Sequence, residues 1–283
     1  MLRLVLAAFS VLVLAASIWL WRVEVPTIAA YALLKPARHR VNQPPPDGCA
    51  DVSFAGAGIT LEAWRCTPAA APPRATLILL HGIADNRGSW RGIVPRFTAR
   101  GFDVVAFDGR AHGGSGGDFC TYGFLEKQDL RRVIDALAPD RAIVLGTSLG
   151  AAIALQEAAD DPRVHAVVAA ETFSDLRTVA TERAPSFLTS DAIRRAFARA
   201  EAIGGFAVDE VSPERAAHRI HVPVLLIHGA QDLETPPDHS RRVYAALAGR
   251  KRLMLIEGVG HNHSLSAEAT WNEIERWILE NVE

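Results

Sequence analysis

Apolar positions along this chain gather in short continuous runs separated by stretches of helical spacing, and that alternation predicts the fold. The runs stand at Thr76–Leu80, Asp103–Phe107, Ala142–Leu145, Val164–Ala170, Val222–Ile227 and Arg252–Ile256. Strands apolar on both faces belong to a parallel sheet covered on both sides. In the last helical stretch, Ala267–Asn281, the residues Trp271, Ile274, Trp277 and Ile278 share one side, with Glu273, Glu275 and Glu280 elsewhere. That is a core-facing stripe. The pattern predicts an α/β class with a doubly wound, mostly parallel sheet.

Two segments break the alternation. Leu4 to Trp21 is apolar and uncharged, near the lower end of the roughly 17–25 residues that span a bilayer. Ala15-Ala16-Ser17 offers a weak signal-cleavage site, but Ile18-Trp19-Leu20-Trp21 continues the apolar run, which favours an uncleaved anchor over a removed signal. We therefore read residues 1–24 as a membrane anchor with Trp19 and Trp21 near the interface. Residues 25–48 read as a linker, stiffened at Asn42–Asp47 by three consecutive prolines. Residues 49–283 read as one folded domain. Within it the alternation lapses at about 172–218, where Ser190 or Asp191 can cap a helix ending at Gly204-Gly205, with Ile193, Phe197 and Ile203 at helical spacing. The apolar side of this insertion, with Phe173, Leu176, Phe187 and Leu188, either lines a hydrophobic pocket or packs down on the sheet.

Charge and cysteine usage narrow the setting. A net charge of −2 with scattered basic residues gives no stripe for nucleic acid. Ten histidines and three cysteines form no ligand-like cluster except His261-Asn262-His263, too short to hold a metal alone, so no cofactor or metal is expected. Arg22, Lys35, Arg38 and Arg40 follow the anchor and Arg3 precedes it, which by the positive-inside rule leaves the domain in the cytoplasm. The cysteines point the other way. Val52–Phe54 and Ile59–Arg65 read as a hairpin turning at Ala57-Gly58, a register that sets Phe54 opposite Leu61 and Cys49 opposite Cys66. A disulfide there would place the domain outside the cytoplasm. We adopt a single-pass inner-membrane protein with an extracytoplasmic domain. Cys120 reads as a buried or incidental thiol.

The candidate chemistry begins at Gly146-Thr147-Ser148-Leu149-Gly150, between the run Ala142–Leu145 and the helix-like Ala151–Ala159. Gly-x-Ser-x-Gly in a strand-to-helix turn exposes a serine hydroxyl above the sheet, and the flanking glycines relieve crowding in so tight a turn. Alone, the pattern is also a common Gly/Ser turn. Asp232 follows the run Val222–Ile227, and His261 follows the run Arg252–Ile256. Loops at the carboxyl ends of parallel strands line one crevice, so the three can converge.

With His81-Gly82 after Thr76–Leu80 and the glycine-rich Asp108–Gly117 after Asp103–Phe107, the chain resembles the α/β-hydrolase superfamily from about Thr76 onward. Ser115-Gly116-Gly117, Thr121-Tyr122-Gly123-Phe124 and Glu126-Lys127-Gln128-Asp129 are similar to membrane-anchored bacterial members grouped with serine aminopeptidase-like and esterase-like hydrolases. The resemblance implies a cap at 172–218, Ser148 as nucleophile, His261 as base, Asp232 as acid, and an oxyanion hole from the N–H groups of Ile83 and Leu149. His263 competes with His261 as the base, though the Gly260-His261 spacing fits the family. Glu171, at the end of Val164–Ala170, competes with Asp232 but reads as a structural or cap-anchoring carboxylate. Asp108 and His112 are expected to shape the glycine-rich loop, and serine at 148 argues against dehalogenase chemistry. The expected activity is hydrolysis of a small-molecule or lipid-like carboxylic ester. An amidase or aminopeptidase-like peptidase, an acyltransferase, and a non-catalytic binding protein are the alternatives.

Overall fold

The computed structural model describes residues 1–69 and 71–282. Its strands are β1 (Cys49–Ala55), β2 (Thr60–Cys66), β3 (Thr76–Leu80), β4 (Asp103–Phe107), β5 (Ala142–Thr147), β6 (Val164–Ala170), β7 (Val224–Gly229) and β8 (Lys251–Ile256). They form one sheet in the order β1-β2-β4-β3-β5-β6-β7-β8. The hairpin β1/β2 is antiparallel and joins β4 antiparallel, whereas β3 to β8 run parallel. The α/β class and mostly parallel sheet expected from the run pattern are therefore present. The fifth strand extends two residues beyond its apolar run, and the seventh is shifted two residues forward, because ladder pairing rather than hydrophobicity ends a strand.

The helices are α1 (Leu2–Trp19), α2 (Val25–Leu34), α3 (Val94–Thr98), α4 (Glu126–Leu137), α5 (Leu149–Ala158), α6 (Leu176–Glu182), α7 (Ser190–Gly204), α8 (Pro213–Ala217), α9 (Asp238–Ala246) and α10 (Glu268–Glu280). Alternate residues of the parallel strands feed two cores, as period-two side chains require. Ile78, Val105, Val144 and Val167 meet Leu130, Leu149, Ala154 and Val243 on one face. Leu77, Val104, Ile143 and Ala166 meet Phe97, Trp271 and Ile274 on the other. All ten residues of α5 are buried, Gln156 and Glu157 included, so the helix is enclosed on every side. In α10 the expected stripe is buried, but Glu275 departs from expectation: it is buried too, accepting from Arg96 Nε at 2.7 Å and Arg100 Nε at 2.6 Å.

Three local expectations are revised. The stretch 25–48 starts as helix rather than linker: α1 passes through a short π-helical stretch, Leu20–Glu24, into α2, giving one continuous helical rod over Leu2–Leu34. Its last part packs on α7, burying Ala30 and Leu34 with Phe197 and Phe206. The cap helix α7 is capped by Thr189, whose hydroxyl accepts from Ala192 N–H at 3.2 Å, one residue before the expected caps, and it ends at Gly205 with φ +65°. Finally, the apolar side of the insertion faces α2 rather than the sheet: Phe173, Leu176 and Phe197 pack in one cluster with Ala30, Leu34 and Ala152, and Leu176, Phe187, Leu188, Ile193 and Phe197 line an apolar hollow, as the pocket alternative expected, with α2 as its opposite wall. The register of β1 and β2 pairs Phe54 with Leu61 and Cys49 with Cys66, and the two sulfurs are bonded.

Candidate active site

Ser148 sits at the turn between β5 and α5 with φ +49° and ψ −110°, a conformation sparsely populated by non-glycine residues and held only where the surroundings impose it. They do so tightly. Ser148 N–H donates to Ala170 O at 2.8 Å, and a Cβ on Gly146 would lie 2.2 Å from the Gly150 backbone, one on Gly150 2.2 Å from Leu80 O. The two glycines thus let α5 start directly against β3.

The loops after β7 and β8 bring Asp232 and His261 to this turn. His261 Nε2 lies 3.2 Å from Ser148 Oγ, and His261 Nδ1 lies 2.6 Å from Asp232 Oδ2. Because a carboxylate only accepts, Nδ1 carries the proton and Nε2 is left free to accept from the serine hydroxyl. Asp232 Oδ1 accepts from the N–H groups of Glu234 and Thr235, each at 2.9 Å. Burial pushes the Asp232 carboxyl up, but hydrogen bonds from His228, His261 and Thr235 and the adjacent His261 outweigh it and hold the group well below its ordinary value. Asp232 is therefore an anion at neutral pH.

His228 is a site residue that sequence reasoning missed. It is fully buried; its Nε2 lies 2.8 Å from Thr235 O and 3.1 Å from Asp232 Oδ2, and its Nδ1 lies 2.7 Å from Ser240 Oγ. A carbonyl oxygen cannot donate, so Nε2 holds the proton and shares it with the carboxylate. The available signal was its place inside β7, four residues before Asp232, where a polar side chain in an apolar run needs a partner.

Glu171, the competing acid, is turned elsewhere. It has φ +57° and accepts from Asn262 N–H at 2.6 Å and Ser264 N–H at 3.0 Å. Its carboxylate holds the loop that carries His261, not the cap. His263 lies off the Ser148–Asp232 line, its Nδ1 2.7 Å from His261 O.

The loop after β3 closes the other side. A Cβ on Gly82 would stand 3.7 Å from Ser148 Cβ, so Ile83 follows directly beside Ser148. Among the described residues the main-chain N–H groups of Ile83 and Leu149 donate to no protein acceptor; Leu149 opens α5, where helical N–H groups are unsatisfied. His81 fastens this loop to the glycine-rich one: Nδ1 lies 2.7 Å from Gly82 O, while Nε2 accepts from Gly109 N–H at 2.9 Å. Asp108 accepts from Arg87 N–H and Gly114 N–H, both at 2.7 Å. A cavity of about 510 Å³ adjoins the site, lined in part by Ile83, Thr147, Glu171 and Asn262. Cys120 is fully buried, and burial pushes its thiol up. Among the described residues, no group of three or more His, Cys, Asp or Glu is placed to hold a metal ion.

Known proteins share this frame. A family model described as the alpha/beta hydrolase fold matches residues 75–212. An uncharacterized protein of Bacillus subtilis, YqkD, is 29% identical over 243 residues, covering 80% of this chain and 77% of its own. A monoacylglycerol lipase of Mycolicibacterium smegmatis is 27% identical over 278 residues, covering 81% and 97%. Among solved structures, an esterase of Pyrococcus furiosus superposes with a TM-score of 0.71 at 21% identity, covering 88% of this chain and all of that one. Sheet order, the strand-turn-helix at Ser148 and the family match agree, and the chain has the α/β-hydrolase fold.

Proposed function

We propose that this protein is a membrane-anchored serine hydrolase that cleaves carboxylic esters through an acyl-serine intermediate. The observation that carries the reading is the unbroken hydrogen-bonded chain from Ser148 Oγ through His261 to Asp232. Ser148 Oγ attacks the ester carbonyl while His261 Nε2 takes its proton, and Asp232 stabilises the imidazolium that results. The carbonyl oxygen, now an anion, is held by the N–H groups of Ile83 and Leu149; one such donor is worth ~10²–10³-fold in rate. Collapse breaks the ester bond, and His261 returns the proton to the leaving alcohol. Water then repeats the sequence on the acyl-serine, with His261 again as base.

The membrane part rests on α1. None of its residues is buried, and an 18-residue stretch within the helical segment Leu2–Leu34 has a mean hydropathy of 2.4, so its surface calls for a bilayer. The Cys49–Cys66 bond supports an extracytoplasmic domain. The chemistry is tested by labelling purified protein with a fluorophosphonate, wild type beside Ser148→Ala, followed by matched ester and amide panels. Labelling at Ser148 with ester turnover is expected. Faster amide cleavage would make the enzyme an amidase or peptidase, and no labelling where a control hydrolase reacts would leave a non-catalytic binding protein.

A further inference from the structure

An apolar hollow of about 540 Å³ lies between the cap and α2, within the roughly 300–1,000 Å³ typical of small-molecule sites. Ile28, Ala29 and Leu33 form one wall, and Val179, Ala196 and Phe197 face them from α6 and α7. Among the described residues, Arg183 is the only charged one in its lining. The hollow is thus enclosed partly by the same helical rod that, one segment earlier, exposes a largely apolar surface.

That continuity says what reaches the hollow. At 1.5 Å per residue, Val25 lies about 6 Å and Leu33 about 18 Å along the helix from Trp21. With Trp21 at the bilayer interface, the near end of the hollow opens at headgroup depth and the far end lies beyond the membrane surface. Ile28 and Phe187, both largely exposed, flank it. Its inner side lies one helical turn from Ser148: Leu176, Val179 and Phe197 pack in one cluster with Ala152, whose N–H donates to the main-chain O of Ser148 at 3.1 Å. Arg183 Nε donates to Glu234 O at 2.8 Å, its Nη2 meets Thr235 Oγ1, and Thr235 N–H bonds Asp232.

We infer that this hollow receives the acyl chain of a lipid ester drawn from the bilayer, making long-chain lipid esters the substrate class of the hydrolase proposed above, on which this rests. Moving a methylene from water to an apolar wall is favourable, but a chain already in the bilayer gains little from transfer. The hollow therefore serves to orient a chain beside the site rather than to extract it by affinity.

The test uses full-length Ser148→Ala protein in phosphatidylcholine nanodiscs containing a long-chain acylglycerol whose chain bears a diazirine. After irradiation, mass spectrometry is expected to find adducts at residues 28–33 and 179–197. Filling the hollow from either wall, with Ala196→Trp or Ala29→Phe, should cut that labelling about tenfold or more. In the wild-type Ser148 background the same substitutions should lower long-chain turnover similarly and leave short-chain ester turnover within about twofold, which also reports that the fold is intact. Adducts elsewhere, or adducts insensitive to both substitutions, would overturn the inference while short-chain turnover keeps the Ser148 chemistry. Adducts in the hollow without turnover of any ester would uphold acyl binding and remove the esterase reading instead.

Discussion

The Glu171 carboxylate accepts a 2.6 Å hydrogen bond from the main-chain N–H of Asn262, the residue after His261. With its second oxygen on Ser264 N–H at 3.0 Å, it spans the loop that presents the imidazole to Ser148. A buried carboxylate at the end of β6 thereby positions a histidine that follows β8. Gln at 171 keeps one acceptor and turns an N–H₂ toward a main-chain donor. For Glu171→Gln we expect kcat to fall about 10–100-fold with KM nearly unchanged, since small displacements of a reacting group cost this much. Asp232→Asn should cost far more, about 10⁴-fold. Steady-state kinetics on one ester would check both, and the opposite ranking would make Glu171 the acid.

The turn at Ser148 should tolerate no side chain at position 150. A Cβ there meets Leu80 O at 2.2 Å and Leu80 C at 2.6 Å, main-chain atoms of a central strand that cannot rotate away. Gly150→Ala is expected to destabilise by about 3 kcal/mol or more, measured by urea unfolding. An unfolding midpoint equal to wild type would mean that α5 can slide along β3.

Glu157 on α5 supplies a pH dependence of stability. Its side chain is fully buried and accepts from Arg131 Nε at 2.8 Å. Burial pushes its carboxyl up, from 4.5 to about 7, against the Arg131 ion pair, which lowers it. The folded form therefore binds a proton that the unfolded form releases, so this contribution is complete below about 4.5 and is lost as pH rises through about 7. Between pH 5 and 8 the wild type should lose about 2–3 kcal/mol that Glu157→Gln does not. Parallel pH dependences in urea titrations of the two proteins would refute the assignment.

Thiol counting tests the β1/β2 bond and, through it, the compartment. Protein denatured without reductant should expose one reactive thiol, Cys120, and reduction should raise the count to three. Three thiols before reduction would remove the support for an extracytoplasmic domain.

Much of this molecule is written locally. The apolar runs marked six parallel strands, five of them because a strand buried on both faces needs no partner to announce it, and the half-exposed edge strand β8 through its apolar residues 253–256. Gly146 and Gly150 marked the turn at Ser148, and motif order pointed to Asp232 and His261, since each stands just past a recognisable strand. The cysteine pairing followed from one hairpin register.

Tertiary structure decided what depends on contacts between distant segments. His228 reads as a polar interruption of β7 until Asp232 and Thr235 fold back to it. Glu171 reads as a strand-end carboxylate until the loop after β8 arrives 91 residues later. Residues 25–34 carry the same apolar composition whether they link or pack, and only the presence of α7 beside them makes Ala30 and Leu34 core residues. Periodicity and turn chemistry are properties of neighbours in sequence, whereas the partner of a buried polar group, or of an apolar helix face, is chosen by whatever the completed sheet brings within reach.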